Sequence, residues 1–246
     1  MKDNSYFIDS DKLSPKALEK KHRLEQDPSS RTDCMEYHAK MEQITSDIRE
    51  KVLRQMEDYD YNSYTATDVV RALEAQHCSP ENFRALLSPA AEPFLEQMAK
   101  KAKAETGKHF GNTVYVFTPL YIANYCSNYC IYCGFNCYND IERKQLSHDE
   151  IEHEMKVIAD SGIEEILMLT GESPEKSSIA YIGDACRLAA KYFRNVGLEI
   201  YPVNTADYRF LHECGADYVT VFQETYDVRR YEQLHLLGNK RVFPYR

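Results

Sequence analysis

Apolar positions follow two regimes along this chain. Through residues 1–112 they are sparse and recur at helical intervals among charged side chains; from residue 113 short apolar runs alternate with amphipathic stretches. In the first regime Ser79 and Ser88 each precede a proline, and both read as helix starts with serine as N-cap and proline as the first helical residue. The helix after Ser88 carries Leu95, Met98 and Ala102 on one face and Glu and Lys on the other, and is expected to stop near Gly107. Residues 1–35 are polar, and partial disorder is expected there.

In the second regime residues 113–118 (TVYVFT) are β-branched and aromatic and end at Pro119, the pattern of a short buried strand. Ser147 and Glu150 form a capping box that opens a helix with Ile151, Met155, Ile158 and Ala159 on one side, closed by Gly162. A second strand is expected over 163–169. Ile179, Ile182, Cys186, Ala189 and Phe193 then fall at helical spacing. A third strand is expected over 198–203, a short helix ending at Cys214 and Gly215, and a fourth strand over 218–222. Strand and helix thus alternate four times, which specifies an α/β fold of parallel βα units. Four units do not close an eight-stranded barrel, which usually needs ~250 residues of its own. The expectation is an open half-barrel, or a chain that stops early.

Composition narrows the function classes. The chain of 246 residues has a formal net charge of −9, so nothing draws it to a phosphate backbone, and nucleic acid is not an expected partner. No run of eighteen apolar residues and no secretion-like leader is present, so no membrane association and a cytoplasmic location are the default expectations.

Cysteine usage changes the picture most. Of eight cysteines, Cys34, Cys78, Cys186 and Cys214 are scattered and read as small core residues, whereas Cys126, Cys130, Cys133 and Cys137 fall in one short run. The spacing C-x3-C-x2-C of the first three follows the expected first strand, at the end of a βα unit where barrel enzymes place their chemistry. Three thiolates on one loop can hold three corners of a 4Fe–4S cube and leave the fourth iron open. Zinc is the alternative, with Cys137 as fourth ligand, although zinc sites usually split their ligands into two separated pairs. Cys137 is taken as a bystander. Two other carboxylate-bearing segments end strands on the same face: residues 170–173 (TGES), and Gln223, Glu224 and Tyr226, whose bland reading is a polar loop. Glu199 alternates with Ile200 and could point inward, where a carboxylate needs a partner. The histidines are unremarkable: His148 and His153 lie on an exposed helix, and His212 and His235 lack close partners in the sequence.

The runs LYIANYC (120–126) and CGF (133–135), with LLSPAA (86–91), LTGE (169–172) and VFQETY (221–226), resemble the radical S-adenosylmethionine enzymes, and among them the tyrosine lyases. The nearest family is the 2-iminoacetate synthases of thiamine biosynthesis, and the likeness covers most of residues 60–238. It implies a TIM-type radical-SAM barrel over residues 113–246, of which only the first four βα units are present, behind a helical region over 1–112. By the same resemblance Cys126, Cys130 and Cys133 ligate a 4Fe–4S cluster. Thr170, Gly171, Glu172 and Ser173 would bind the methionyl amino group of S-adenosylmethionine, Tyr132 would meet its adenine, and Glu199 would contact the cofactor. Gln223, Glu224 and Tyr226 would be catalytic. The implied substrate is L-tyrosine, cleaved between Cα and Cβ to p-cresol and 2-iminoacetate, with thiazole synthase and a flavodoxin or ferredoxin as protein partners. Hydrogenase-maturation tyrosine lyases share these barrel motifs, and an inactive metal-binding half-barrel is the reading from another class. The family's chains continue past residue 246, and residues 238–246 begin like the family and then drift, so C-terminal truncation is expected.

Overall fold

The computed structural model describes residues 59–241 throughout, residues 47–57, and a few positions before them. Most of the 1–35 stretch expected to be partly disordered, Cys34, and the drifting residues 242–246 lie outside the residues it describes, while Pro15, Leu18, Glu19, His22 and Gln26 are described as helical. The chain divides into two compact units, residues 46–115 and residues 116–246 with 1–45.

The first unit is helical: α1 (Ile48–Glu57), α2 (Ala66–Glu74), α3 (Pro80–Leu87), a 3-10 turn (Pro89–Phe94) and α4 (Leu95–Phe110). Ser79 caps α3 as expected, its hydroxyl accepting the Asn82 N–H with Pro80 at the first position. Ser88-Pro89 opens the 3-10 turn instead of the long helix, because Pro93 lacks the N–H an α-helical ladder needs at that point. The helix that follows runs to Phe110 and stops at Gly111, later than the expected Gly107, and of its apolar stripe only Met98 is partly buried while Leu95 and Ala102 are exposed. Lys101 spends its ammonium on the carbonyls of Ala72, Leu73 and Ala75, satisfying the open end of α2.

The second unit is built on a parallel sheet of order β1-β3-β4-β5, with β1 Phe117–Ala123, β3 Glu165–Thr170, β4 Asn195–Glu199 and β5 Tyr218–Val219. Helices α5 (His148–Asp160), α6 (Ile179–Ala189) and α7 (Thr205–Glu213) alternate with these strands. The core lies between sheet and helices: Ile122, Ile166, Met168 and Leu198 meet Ile151, Met155, Ile182 and Leu211, all essentially inaccessible. The capping box forms as expected, Ser147 Oγ accepting the Glu150 N–H while Glu150 Oε2 accepts the Ser147 N–H.

The strand boundaries differ from expectation, the second least, at Glu165–Thr170 against 163–169. The strand expected over 113–118 begins only at Phe117; Val114, Tyr115 and Val116 are exposed, and pairing runs on through Pro119 to Ala123. Proline is tolerated there because among the described residues the part of β1 around Pro119 pairs with β3 alone, the isolated Ala123–Gln145 bridge lying at the strand's far end. The third strand is Asn195–Glu199 and not 198–203, and the fourth is cut to two residues. Cys186 and Cys214 are buried as expected of core thiols, whereas Cys78 is exposed.

One element has no precursor in the sequence pattern. A second, antiparallel pair joins β2 (Tyr129–Cys130) to β6 (His235–Leu237), preceded by α8 (Val228–Leu234) and followed by a 3-10 turn (Asn239–Arg241). Among the described residues no helix is long and apolar enough to cross a membrane.

Candidate active site

Beyond Ala123 the chain leaves the sheet and loops back to Arg143. Arg143 ties the loop together at its neck, beside the Asn124 bonds to Glu142 and Lys144. Its guanidinium donates to the carbonyls of Asn124 (2.7 Å), Phe135 (2.8 Å), Asn136 (2.7 Å) and Asn139 (3.3 Å). Inside the loop Asn136 folds residues 133–139 into a tight turn, its Oδ1 accepting the Tyr138 and Asn139 N–H groups and its Nδ2 donating to the Cys133 carbonyl. Cys130 belongs to β2 and is pinned by β6; Tyr129, Ile131 and Tyr138 bury a small aromatic cluster beneath, with Tyr129 and Tyr138 edge to face at 4.5 Å.

This arrangement brings Cys126, Cys130 and Cys133 to one cavity of about 230 Å³, which Asn128, Tyr132, Phe135, Thr170, Gly171, Glu172, Glu199, Glu224 and Lys240 also line. Burial pushes the Cys130 thiol up to about 12 and raises Cys126, for which the Asn128 and Glu172 amides act in the opposite direction by donating to its sulfur. Cys137 is elsewhere: it packs on the Tyr129–Ile131–Tyr138 cluster and does not line the cavity.

The donor set suits a thiolate-bound cluster. Three thiols share one cavity, and amides are aimed at the first of them. Thr170 Oγ1 is buried at the cavity wall with no hydrogen-bond partner among the described residues, a polar atom awaiting one from a ligand. Among the described residues no three His, Cys, Asp or Glu side chains converge on one metal ion. A cubane instead asks each thiolate for a separate iron.

The segment after β3 comes within backbone contact of the cysteine run. A Cβ on Gly171 would lie 2.3 Å from the Tyr125 carbonyl oxygen, so only glycine permits the approach. Thr170, Gly171 and Glu172 reach the cavity; Ser173 does not, its carbonyl accepting the Lys176 and Ser177 N–H groups of the following turn. Glu199, at the end of β4, lines the cavity half-buried; burial raises its pKa and Lys240 opposes the rise.

Of the three residues expected after the fourth strand only Glu224 lines the cavity. Gln223 turns back to the Thr225 carbonyl, and Tyr226 is exposed outside it, because the strand ends at Val219 and the next residues lose the two-residue alternation. Glu224 pairs with Lys240 Nζ at 3.0 Å. His235, set aside on sequence grounds, is wholly buried beside it. Its Nδ1 donates to the Tyr231 carbonyl (2.9 Å), leaving Nε2 to meet Tyr132 Oη at 2.8 Å and Glu224 Oε2 at 3.3 Å. His212 likewise finds a partner in the Ala216 carbonyl, while His148 stays on the exposed face of α5. Tyr132, partly exposed at the cavity, has its hydroxyl pKa raised, first by burial and then by the Cys130 and Glu224 charges.

Burial pushes the Glu224 carboxyl up, but His235, Lys240 and Tyr132 outweigh it and hold it at about 2. A carboxyl lowered on folding stabilises above its free value of ~4.3 and loses that contribution as pH falls through the folded value. The gap in urea midpoint between wild type and Glu224→Gln is therefore expected to be complete near neutral pH and to close as pH approaches about 2. A gap that persists unchanged at that pH would refute the ion-pair account.

Sequence reasoning missed Asn128, Phe135, His235 and Lys240. The first two stand within or beside the cysteine run, so position alone offered a signal; His235 and Lys240 reach the site only through the β2–β6 pairing.

A family model described as the radical SAM superfamily matches residues 120–242. The chain is 41% identical over 185 residues to the 2-iminoacetate synthase of Salmonella typhimurium, covering 75% of this chain and 49% of that protein. It is 40% identical to the 2-iminoacetate synthase of Escherichia coli, again with 75% and 49% covered. Among solved structures it superposes on the FeFe-hydrogenase maturase HydG with a TM-score of 0.70 at 28% identity, over 81% of this chain and 46% of that one. The chain thus spans about half the length of the curated relatives it matches.

Proposed function

Because this chain belongs to the radical S-adenosylmethionine superfamily, whose enzymes use a 4Fe–4S cluster and S-adenosylmethionine, we propose that it carries the cluster-bearing part of a tyrosine lyase. The reaction cleaves the Cα–Cβ bond of L-tyrosine to p-cresol and 2-iminoacetate. The observation that carries the reading is the convergence of Cys126, Cys130, Cys133 and Glu172 on one cavity in a chain 41% identical to a 2-iminoacetate synthase.

A cluster held there would supply the single electron that cleaves the sulfonium bond of S-adenosylmethionine, with methionine as the leaving group. The chain's own side chains bind and orient. Cys126, Cys130 and Cys133 hold three irons. Glu172 meets the methionyl ammonium, with Thr170 Oγ1 as a further polar contact and Gly171 clearing the approach. Ser173 serves the turn that positions these three. Tyr132 offers its ring to the adenine, and Glu199 and Glu224, flanking Lys240, give a polar wall for the ribose or the substrate. Gln223 and Tyr226 lie outside the cavity and carry no role in this reading. Among the described residues the barrel portion begins near residue 116, with a helical unit before it in the chain. A cytoplasmic setting follows from this reading, with flavodoxin or ferredoxin as reductant and thiazole synthase as the acceptor of a labile imine. The likeness to HydG supports a hydrogenase-maturation lyase as second reading, at a lower identity.

The test is anaerobic reconstitution with iron and sulfide, followed by S-adenosylmethionine, dithionite and L-tyrosine, with p-cresol and 5′-deoxyadenosine measured by mass spectrometry. Both products from wild type and neither from Cys130→Ala are expected. Deoxyadenosine without p-cresol would remove tyrosine cleavage from this chain and keep the cofactor reading; neither product would overturn both.

A further inference from the structure

Asn128 stands between two cysteines yet ligation gives it no task, and it is only 3% exposed. Its side chain joins two segments remote in sequence. Nδ2 donates to Glu172 Oε2 at 2.7 Å, and Oδ1 accepts the Lys240 N–H at 3.0 Å. The amide orientation is dictated by chemistry, since a carboxylate only accepts and a backbone N–H only donates. The neighbouring residue fixes the other end of Glu172: the Ser127 N–H and hydroxyl both donate to the Glu172 carbonyl, at 2.9 and 3.1 Å. Gly238, at φ 85°, lets the 238–241 turn lie directly on Asn128, where a Cβ would fall 2.2 Å from Oδ1.

We propose that Asn128 is a positioning residue: its amide locks one oxygen of the buried Glu172 carboxylate and so aims the other at the ammonium of S-adenosylmethionine, while tying that subsite to the 235–241 segment. The inference rests on the assignment of Glu172 to the ammonium. A carboxylate buried at 6% exposure that accepts a charge-assisted hydrogen bond from a fixed amide has a preferred orientation; without that donor it can rotate. Main chain and side chain of Glu172 are thus both held by the cysteine run, and ordering that run orders the methionyl subsite with it.

Two variants separate positioning from mere support of the fold. Asn128→Ala removes both contacts. Asn128→Asp is isosteric and keeps an acceptor for the Lys240 N–H, but faces Glu172 with a second carboxylate. Each is reconstituted without oxygen and compared with wild type for iron and sulfide content. Affinity is then measured by calorimetry for S-adenosylmethionine and for its analogue lacking the amino group. Both variants are expected to keep wild-type iron and sulfide and to bind S-adenosylmethionine about tenfold more weakly or worse. The deaminated analogue is expected to bind all three proteins alike, and Glu172→Gln combined with Asn128→Ala to lose no more than Glu172→Gln alone. Wild-type affinity in Asn128→Asp would overturn the proposal, as would loss of iron in both variants, which makes Asn128 a support of the cluster loop. If wild type itself shows no preference for S-adenosylmethionine over the analogue, the Glu172 assignment fails instead.

Discussion

Reconstituted without oxygen, the Cys130→Ala chain is expected to carry no stable iron–sulfur chromophore and to form no 5′-deoxyadenosine, while Cys137→Ala matches wild type in both. Cys130 is buried and its thiol is pushed up to about 12, so an uncompensated thiolate is not sustained there at neutral pH. An iron centre supplies the missing positive charge and takes the proton's place. If Cys126, Cys130 and Cys133 are the ligands, removing the one clamped in β2 leaves two, too few to hold a cube. Cys137 faces the aromatic cluster, so its truncation changes packing and not ligation. Iron and sulfide assays with absorption spectra read both variants. Equal metal loss in Cys130→Ala and Cys137→Ala, with zinc and no sulfide in wild type, would return the site to four-thiolate zinc.

Arg143→Ala is expected to destabilise the 116–241 unit by about 3 kcal/mol and to make the cluster labile to chelators, with every cysteine still present. The guanidinium closes the cysteine loop through four carbonyls, and methyl truncation leaves these without their donor in a partly buried setting. Lysine is not expected to rescue it, since an ammonium cannot span acceptors arranged for a planar fork. Urea midpoints and the rate of iron release to a chelator measure the two effects. A variant that releases iron at the wild-type rate would show that the loop is set by Asn136 and β2 alone.

What could be read before the fold was known were features carried within a few residues. The Ser147–Glu150 capping box, the stripe of Ile151 and Met155, and the glycine stop at Gly162 each state their structure locally, and each forms. So did the repeated strand–helix alternation, since β3, with four consecutive buried residues, suits only a sheet covered on both faces. The cysteine spacing pointed to an iron–sulfur cluster, with zinc as the alternative, and the superfamily whose model matches residues 120–242 uses such a cluster. Boundaries were less legible. The TVYVFT run had the residues of a buried strand, but burial depends on a neighbour, and Val114 to Val116 stay largely exposed among the described residues. Pro119 looked like a stop and is an edge-strand residue, a distinction that only the sheet order makes.

The sequence by itself therefore determined the parallel βα plan, the helix caps and the three-thiolate loop, because spacing and periodicity are properties of neighbours along the chain. The tertiary structure decided which side chains share the cavity. In a strand or an extended loop a one-residue shift turns a side chain to the opposite face, so Glu172 and Glu224 enter while their neighbours Ser173 and Gln223 do not, and Tyr226 stays outside because the strand ends at Val219 and the alternation is lost. It also decided the pairing of β2 with β6, more than a hundred residues apart, which no local pattern encodes and which carries His235 and Lys240 to the thiols and to Asn128. Such contacts form only after the chain has closed a long loop, and that closure is driven by burial of the whole core rather than by any residue taking part in it.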